Sequence, residues 1–124
     1  MDRKENKDKK VRFFRIETKI VDDYEKVIKT YIHSRESGGL WCYVRELSEN
    51  ERFSAKAVQV EETTQFKVVY NPKITTELFL EYGEKTYNIV SLDKFEFNKS
   101  DLVIRANETK APEFDEVVYE NYWS

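Results

Sequence analysis

The feature of this sequence that most constrains its fold is the repeated alternation of apolar and polar residues in short segments. The first such segment, Arg12–Ile20, places every second residue on one face, namely Phe14, Ile16, Thr18 and Ile20. Period-two alternation rich in β-branched and aromatic residues is typical of half-buried strands, so these segments predict an all-β fold of about seven strands. The further segments with this character are Lys26–His33, Leu40–Leu47, Thr64–Tyr70, Leu78–Tyr82, Thr86–Val90 and Leu102–Ala106.

Turn-forming residues separate these segments. Asp22 and Asp23 indicate a turn between the first two, because aspartate bonds its own local backbone well. Gly83 supplies the positive φ that a tight hairpin turn requires, and Asn71 and Pro72 end the strand before them, since proline cannot donate to a strand ladder. Short connections between many strands favour a small barrel or sandwich of about six to seven strands.

One segment departs from the strand pattern. The residues from Ser48 to Glu51 fit a capping box, in which Ser48 accepts from the third helical N–H and Glu51 reaches back. Arg52–Ala57 would continue such a helix for a short distance. A bulged loop is the competing interpretation, so we expect one short helix or one long loop over residues 48–63.

The chain has 124 residues, the length of about one domain. Residues 1–10 carry both charge signs and predict a flexible charged leader. Residues 11–110 hold the strand pattern and predict the β-barrel domain. Residues 111–124 contain acidic residues and no lysine or arginine, and they predict an extended acidic and aromatic C-terminal tail.

The C-terminal tail is also the first candidate for an interaction site. An exposed aromatic and β-branched segment commonly adds a strand to a neighbouring sheet edge or fills an apolar pocket. The residues that we expect to contact a neighbouring subunit are Val117, Val118, Tyr119, Tyr122 and Trp123. The alternative is that this segment folds onto its own barrel, and the sequence leaves both possibilities open.

Signals of catalysis or of metal binding are weak in this sequence. It contains one histidine, His33, and one cysteine, Cys42, whereas a zinc site needs about four closely spaced ligands. A catalytic His33 would need an orienting carboxylate and a nucleophile. Cys42 lies on an alternating strand and is expected to be a small core residue. We therefore expect no catalytic residue, no cofactor and no metal, and hence no enzyme.

Charge and cysteine usage bear on partners and compartment. Charged residues make up 36% of the chain, yet the formal net charge is only −3, which argues against a basic nucleic-acid binder. A single cysteine cannot form an internal disulfide and suits a reducing cytosol. Neither a signal peptide nor a membrane-spanning run is expected, so we expect no membrane association.

An ordered series of motifs resembles the phage head–tail joining family, also called head closure or stopper proteins. It starts at the aspartate turn and covers about three quarters of the chain, and none of its motifs is catalytic. Three positions depart from the usual family pattern: Cys42 stands in place of alanine, Val69 in place of arginine and Glu25 in place of glycine. The matching segments are Asp22–Asp23, Trp41–Ser48 with Glu51, Phe66–Thr75, Gly83, Tyr87–Val90 and Leu102–Ala106.

The resemblance implies a small β-barrel that assembles as a ring with copies of itself below the portal and adaptor proteins. Such a ring closes the DNA channel after packaging and meets a tail completion protein, and DNA is present only as channel contents. The protein would be made in the bacterial cytoplasm and reside in the virion at the head–tail junction. The resemblance also implies loops that face the channel lumen, for which Ser37, Gly38 and Gly39 are the candidates.

Two other functions remain open from the sequence. An OB-like barrel could bind single-stranded nucleic acid by stacking bases on strand aromatics, for which Tyr31, Trp41, Tyr43 and Phe66 are the candidates. Such grooves also need positive charge, which this chain lacks in excess. A barrel that holds a small apolar ligand is a third possibility, and it would require an internal cavity.

Overall fold

A computed structural model describes residues 8–32, 39–46, 64–94 and 101–120. Within these ranges every regular element is a strand, which confirms the predicted all-β class. The expected helix or loop over 48–63 lies outside the described residues. The strands are β1 Lys9–Val21, β2 Tyr24–Ile32, β3 Leu40–Glu46, β4 Thr64–Val69, β5 Phe79–Tyr82, β6 Lys85–Lys94, β7 Asp101–Thr109 and β8 Glu116–Tyr119.

Six of these strands form a closed ring of pairings. The order across the sheet is β3-β4-β7-β6-β5-β1-β2-β8, and β3 also pairs with β1. The closure depends on the length of β1, whose residues Lys9–Val11 pair with β3 and whose residues Arg12–Phe14 pair with β5. The predicted barrel or sandwich thus takes the form of an eight-stranded sheet with a closed six-stranded ring, which is not a strict barrel, and β2 and β8 lie beside β1.

The interior of the ring is an apolar core. Its residues come from every ring strand, because the inward positions of each strand alternate with outward ones. Phe66 lies at the centre, with its ring edge-on to Tyr87 at a centroid distance of 5.1 Å and to Tyr82 at 5.8 Å. Burying side chains of this size stabilises the fold by about 1.5–3 kcal/mol each. The fully buried core residues include Val11, Phe13, Cys42, Phe66, Val68, Leu80, Ile104 and Ala106.

The seam between β1 and β3 is closed by a glycine. A Cβ atom on Gly39 would lie 2.9 Å from the backbone oxygen of Val11, closer than real Cβ contacts allow. Leu40, the next residue, pairs with Val11 in the ladder that joins the two strands. The absence of a side chain at residue 39 therefore lets β3 approach β1 closely enough to close the ring.

A bulge and a tight turn shape the opposite side of the ring. The register between β6 and β7 shifts between Ile89 and Ser91, and the intervening Val90 is 42% exposed. Bulges of this kind bend a strand and increase its twist. Gly83 begins the β5–β6 turn with φ +65°, as the sequence predicts.

The β1–β2 hairpin extends beyond the ring as an arm, defined here as residues 15–27. Its predicted turn is confirmed, because Asp22 and Asp23 adopt φ values of +52° and +71°, typical of a two-residue type I′ turn. The expectation that Thr18 and Ile20 share a buried face is wrong. Thr18 is exposed and Ile20 is 70% exposed, because β1 has left the ring beyond Phe14 and that face is no longer covered.

Candidate assembly surface

The sheet carries a second buried cluster on the face opposite the ring core. Phe14 is fully buried there, although its neighbour Phe13 is buried on the other face. The Phe14 ring stacks on Phe79 at 5.1 Å and meets Tyr31 edge-on at 5.7 Å. We call this group the outer cluster, and its members are Arg12, Phe14, Lys29, Tyr31, Phe79 and Glu81.

Glu81 is the polar centre of the outer cluster. Its carboxylate accepts hydrogen bonds from Arg12 at 2.8 and 3.1 Å, from Lys29 at 3.2 Å and from the Tyr31 hydroxyl at 2.9 Å. These donors lie on β1 and β2, so the single carboxylate on β5 bonds to two neighbouring strands. Bonds to ionised groups are about twice as strong as neutral ones.

Electrostatics keep this carboxylate ionised. Burial acts to raise the pKa of Glu81, but hydrogen bonds from Tyr31 and Lys29 and the charges of Lys29 and Arg12 outweigh it, so the pKa lies below its ordinary value. Lys29 is only 7% exposed, and its ammonium group lies 4.4 Å from the Phe14 ring centroid. The aromatic face and the carboxylate together compensate this cation for its lost hydration.

The C-terminal tail docks on the same sheet. Strand β8 pairs with β2 in parallel, with Val117 beside Lys29 and Val118 beside Thr30. The Asp115 amide donates to the Val27 carbonyl at 2.8 Å, and the Asp115 carboxylate accepts from the Val27 amide at 2.8 Å. The last described residue, Glu120, donates its amide to the Tyr31 carbonyl at 2.8 Å.

Side chains reinforce both ends of this strand. Lys26 and Glu116 form an ion pair at 2.7 Å, and Arg15 binds the two carboxylate oxygens of Glu120 at 2.7 and 3.3 Å. In the middle, the rings of Tyr119 and Tyr31 stack at 5.2 Å. The tail therefore has a defined register, with charged pairs at both of its ends.

The predicted interface residues have different environments in the structure. Val117 and Val118 are half-buried against β2, while Tyr119 remains 38% exposed at the sheet edge. Tyr122 and Trp123 lie outside the described residues. Docking on β2 of the same chain is the arrangement observed, and a role of these residues between subunits stays a prediction.

The lumen-loop candidates are only partly described. Ser37 and Gly38 lie outside the described residues, and Gly39 lies at the β1–β3 seam. Their proposed orientation toward a channel stays a prediction.

The residues considered as catalytic or metal-binding candidates lie in different places. Cys42 is fully buried in the ring core, and burial raises the pKa of its thiol to about 12, so the thiol is protonated at neutral pH. His33 lies outside the described residues. Among the residues that are described, no group of three acidic, histidine or cysteine side chains is positioned to bind a metal.

The aromatics that base stacking would require do not share an exposed face. Phe66 is fully buried in the ring core, and Tyr31 is 4% exposed in the outer cluster on the other side of the sheet. Trp41 is 55% exposed, with the Lys10 ammonium 4.7 Å from its ring centroid. Two of the four candidates are thus inaccessible to nucleic-acid bases.

The outer cluster is the feature that the sequence did not predict. Lys29 and Glu81 look like ordinary solvent-facing residues of amphipathic strands, and Arg12 precedes the first predicted core residue. The one available signal is the pair Phe13-Phe14, because two adjacent large aromatics in a strand must lie on opposite faces.

The fold and this surface define a structural β module with a closed apolar ring and a charged, aromatic sheet edge. The sequence profile of the phage head completion proteins matches residues 5–109, which is most of the chain. The chain therefore belongs to the phage head completion protein family. The match ends where β7 ends, so the docked tail lies outside it.

No curated protein sequence matches the chain. No helix within the described ranges is both long and apolar enough to span a membrane.

Proposed function

We propose that this protein is the head closure component of a tailed phage or prophage, acting as a ring of identical subunits below the portal and adaptor. In this position the ring retains packaged DNA and presents its distal surface to the tail completion protein. The proposed role is structural and requires no substrate, cofactor or metal. The observation that carries the proposal is the family match over residues 5–109.

The architecture supports this role physically. The six-stranded ring is closed and has an apolar interior, whereas the arm and β8 lie at one side of it, where they can contact neighbours. Gly39 fixes the start of β3 at the seam with β1, because a side chain at this position would meet the Val11 backbone.

The proposal is tested by assembly with the cognate portal, adaptor and tail completion proteins. We expect electron micrographs to show ring-shaped density below the adaptor only when this protein is included. In the phage, a stop codon in this gene should give heads that package DNA and then lose it, and a plasmid copy should restore retention. Heads that retain their DNA without this protein would contradict the proposal.

The nucleic-acid alternative is addressed with the same preparation. Fluorescence anisotropy with labelled single-stranded DNA should show weak binding at low salt that disappears at moderate salt. Tight binding by the isolated protein would favour the alternative, but the burial of Tyr31 and Phe66 removes two of the four aromatics that it requires.

A further inference from the structure

We propose that β2 is a receptor for the tail strand of a second copy of this chain, so that β8 is exchanged between neighbouring subunits in the assembled ring. The receptor, called the seat here, is the β2 edge from Val27 to Tyr31. This inference rests on the proposed function and specifies how its subunits would be joined.

The contacts that hold the tail are transferable. Among the described strands, β8 pairs only with β2, and the ion pairs that Glu120 and Glu116 form with Arg15 and Lys26 reach the same hairpin. None of these contacts involves strands β3 to β7. A neighbouring subunit whose tail reached this seat would make the same bonds, which is the condition for strand exchange.

The connection to the tail is short. Between Thr109, the last residue of β7, and Asp115, the residue before β8, the chain takes six Cα steps and can span at most about 20–22 Å. Short hinge connections of this kind favour exchange of the strand that follows them.

The tail and the hairpin that carries the seat have complementary charges. The tail offers Asp115, Glu116 and Glu120, while the hairpin that carries the seat offers Lys26 and Arg15. The aromatic stack of Tyr119 on Tyr31 sets the register between these charged ends. The chain thus carries both halves of a head-to-tail contact, which closes into a ring when the rotation between subunits permits.

The seat needs a strand to cover it. Without β8, the β2 backbone would present an open sheet edge, which proteins avoid because it pairs with other chains. The family match ends at residue 109, before the strand that covers this edge. A second copy supplies a cover in a ring, and the chain's own tail supplies it in an isolated subunit.

A paired-cysteine experiment distinguishes the two arrangements. Thr30 and Val118 are register partners, so the double variant Thr30→Cys/Val118→Cys should form a disulfide wherever β8 occupies the seat. The native Cys42 is buried, and the wild-type protein and the two single variants are the controls. We expect intramolecular bonds in dilute isolated protein, and a ladder of covalent oligomers on non-reducing gels after assembly with portal and adaptor.

The outcomes separate the two proposals. If electron microscopy shows rings but non-reducing gels show only monomeric bands, strand exchange is overturned and the head closure role remains intact. The absence of any ring with the wild-type protein would overturn the proposed function itself. If the double variant misfolds, the charge-exchange experiment below gives the answer without engineered cysteines.

Charge exchange uses the Arg15–Glu120 pair. We expect the single variants Arg15→Glu and Glu120→Arg each to lower ring yield about tenfold, because each juxtaposes like charges. An equimolar mixture should recover the wild-type yield, since each variant's tail complements the other's arm only between subunits. If the mixture fails while the double variant Arg15→Glu/Glu120→Arg assembles normally, docking is intramolecular and the proposal is wrong.

Discussion

The interior of the ring and the outer cluster with its docked tail are built on the same alternating strands, yet they are stabilised by different forces. Within the ring, Phe66 is fully buried, and its contribution comes from apolar burial. In the outer cluster, Lys29 and Glu81 carry charge in a buried or partly buried setting, and the tail is held by backbone pairing and ion pairs. Adjacent residues illustrate the contrast, because Phe13 enters the ring core and Phe14 enters the outer cluster.

This difference shows how one small domain can combine a fixed body with an adjustable edge. Apolar packing is insensitive to salt and to mild pH change, so the ring should keep its shape under conditions that loosen the tail. Ion pairs near solvent are weak individually and are weakened further by added salt or by a change of pH. The predictions that follow compare the two regions directly.

The largest difference in stability is expected between replacing a core phenylalanine and replacing a tail phenylalanine by alanine. Phe66→Ala removes a fully buried side chain and should lower the free energy of unfolding by about 3–5 kcal/mol. Phe114→Ala is the matched change on the tail. The Phe114 side chain is 44% exposed and its phenyl group lies 5.0 Å from the Lys29 ammonium, so its removal should lower the free energy of unfolding by about 1 kcal/mol or less. Urea unfolding followed by tryptophan fluorescence measures both losses of stability, and equal losses would contradict the distinction between the ring interior and the tail.

The second-largest loss of stability is expected on removing the charge of the partly buried Glu81 carboxylate. Glu81→Gln should lower the free energy of unfolding by about 2–3 kcal/mol, because it leaves Arg12 and Lys29 without their shared anion. Glu108→Gln is the control, since Glu108 forms an exposed pair with Lys85 at 3.7 Å, and it should change stability by about 0.5 kcal/mol or less. A Glu81→Gln protein as stable as the wild type would show that the charge of Glu81 contributes nothing to folding.

A smaller effect is expected at the two glycines. Gly39→Ala should destabilise by about 1–2 kcal/mol through overpacking at the seam, and amide exchange should accelerate at Val11 and Leu40. Gly83→Ala should lower the free energy of unfolding by a similar amount, because alanine is strained at the positive φ of residue 83. It should leave amide exchange at the β1–β3 seam unchanged, because a side chain at residue 83 would enter open space. Faster exchange at the seam in both variants would argue that Gly39 has no special part in ring closure.

The smallest effect is the acid dependence of stability. The pKa of Glu81 lies below its ordinary value of 4.5, so its contribution is complete above that value and is lost as the pH falls through the lower folded-state pKa. The pKa of Glu116 is also lowered, by the hydrogen bond from Lys26 and by the positive charge of Lys26, so protonation of Glu116 at low pH likewise reduces stability. We expect the difference in melting temperature between wild type and Glu81→Gln to narrow between about pH 5 and pH 3. A constant difference would contradict the ionised state of Glu81 in the folded protein.

Much of the fold could be predicted from local pattern. The strands around Phe66 and Gly83 and the turn at Asp22 have the expected positions, because alternation and turn chemistry depend only on neighbours in the chain. The expectation for Ile20 was wrong, because alternation identifies which residues share a face but not whether anything covers that face. For the same reason the outer cluster was not foreseen, since Arg12 and Glu81 are far apart in sequence.

The sequence by itself determined that this chain would form β-strands, where its described turns would occur, and that Cys42 would lie in the core. Only the tertiary structure decided that β1 closes a ring with β3, that Glu81 joins cations from two other strands, and that the tail occupies the edge of β2. The physical reason is that strand formation is set by local side-chain periodicity and backbone preference. Strand partners, in contrast, are chosen by non-local packing, which depends on the whole chain at once.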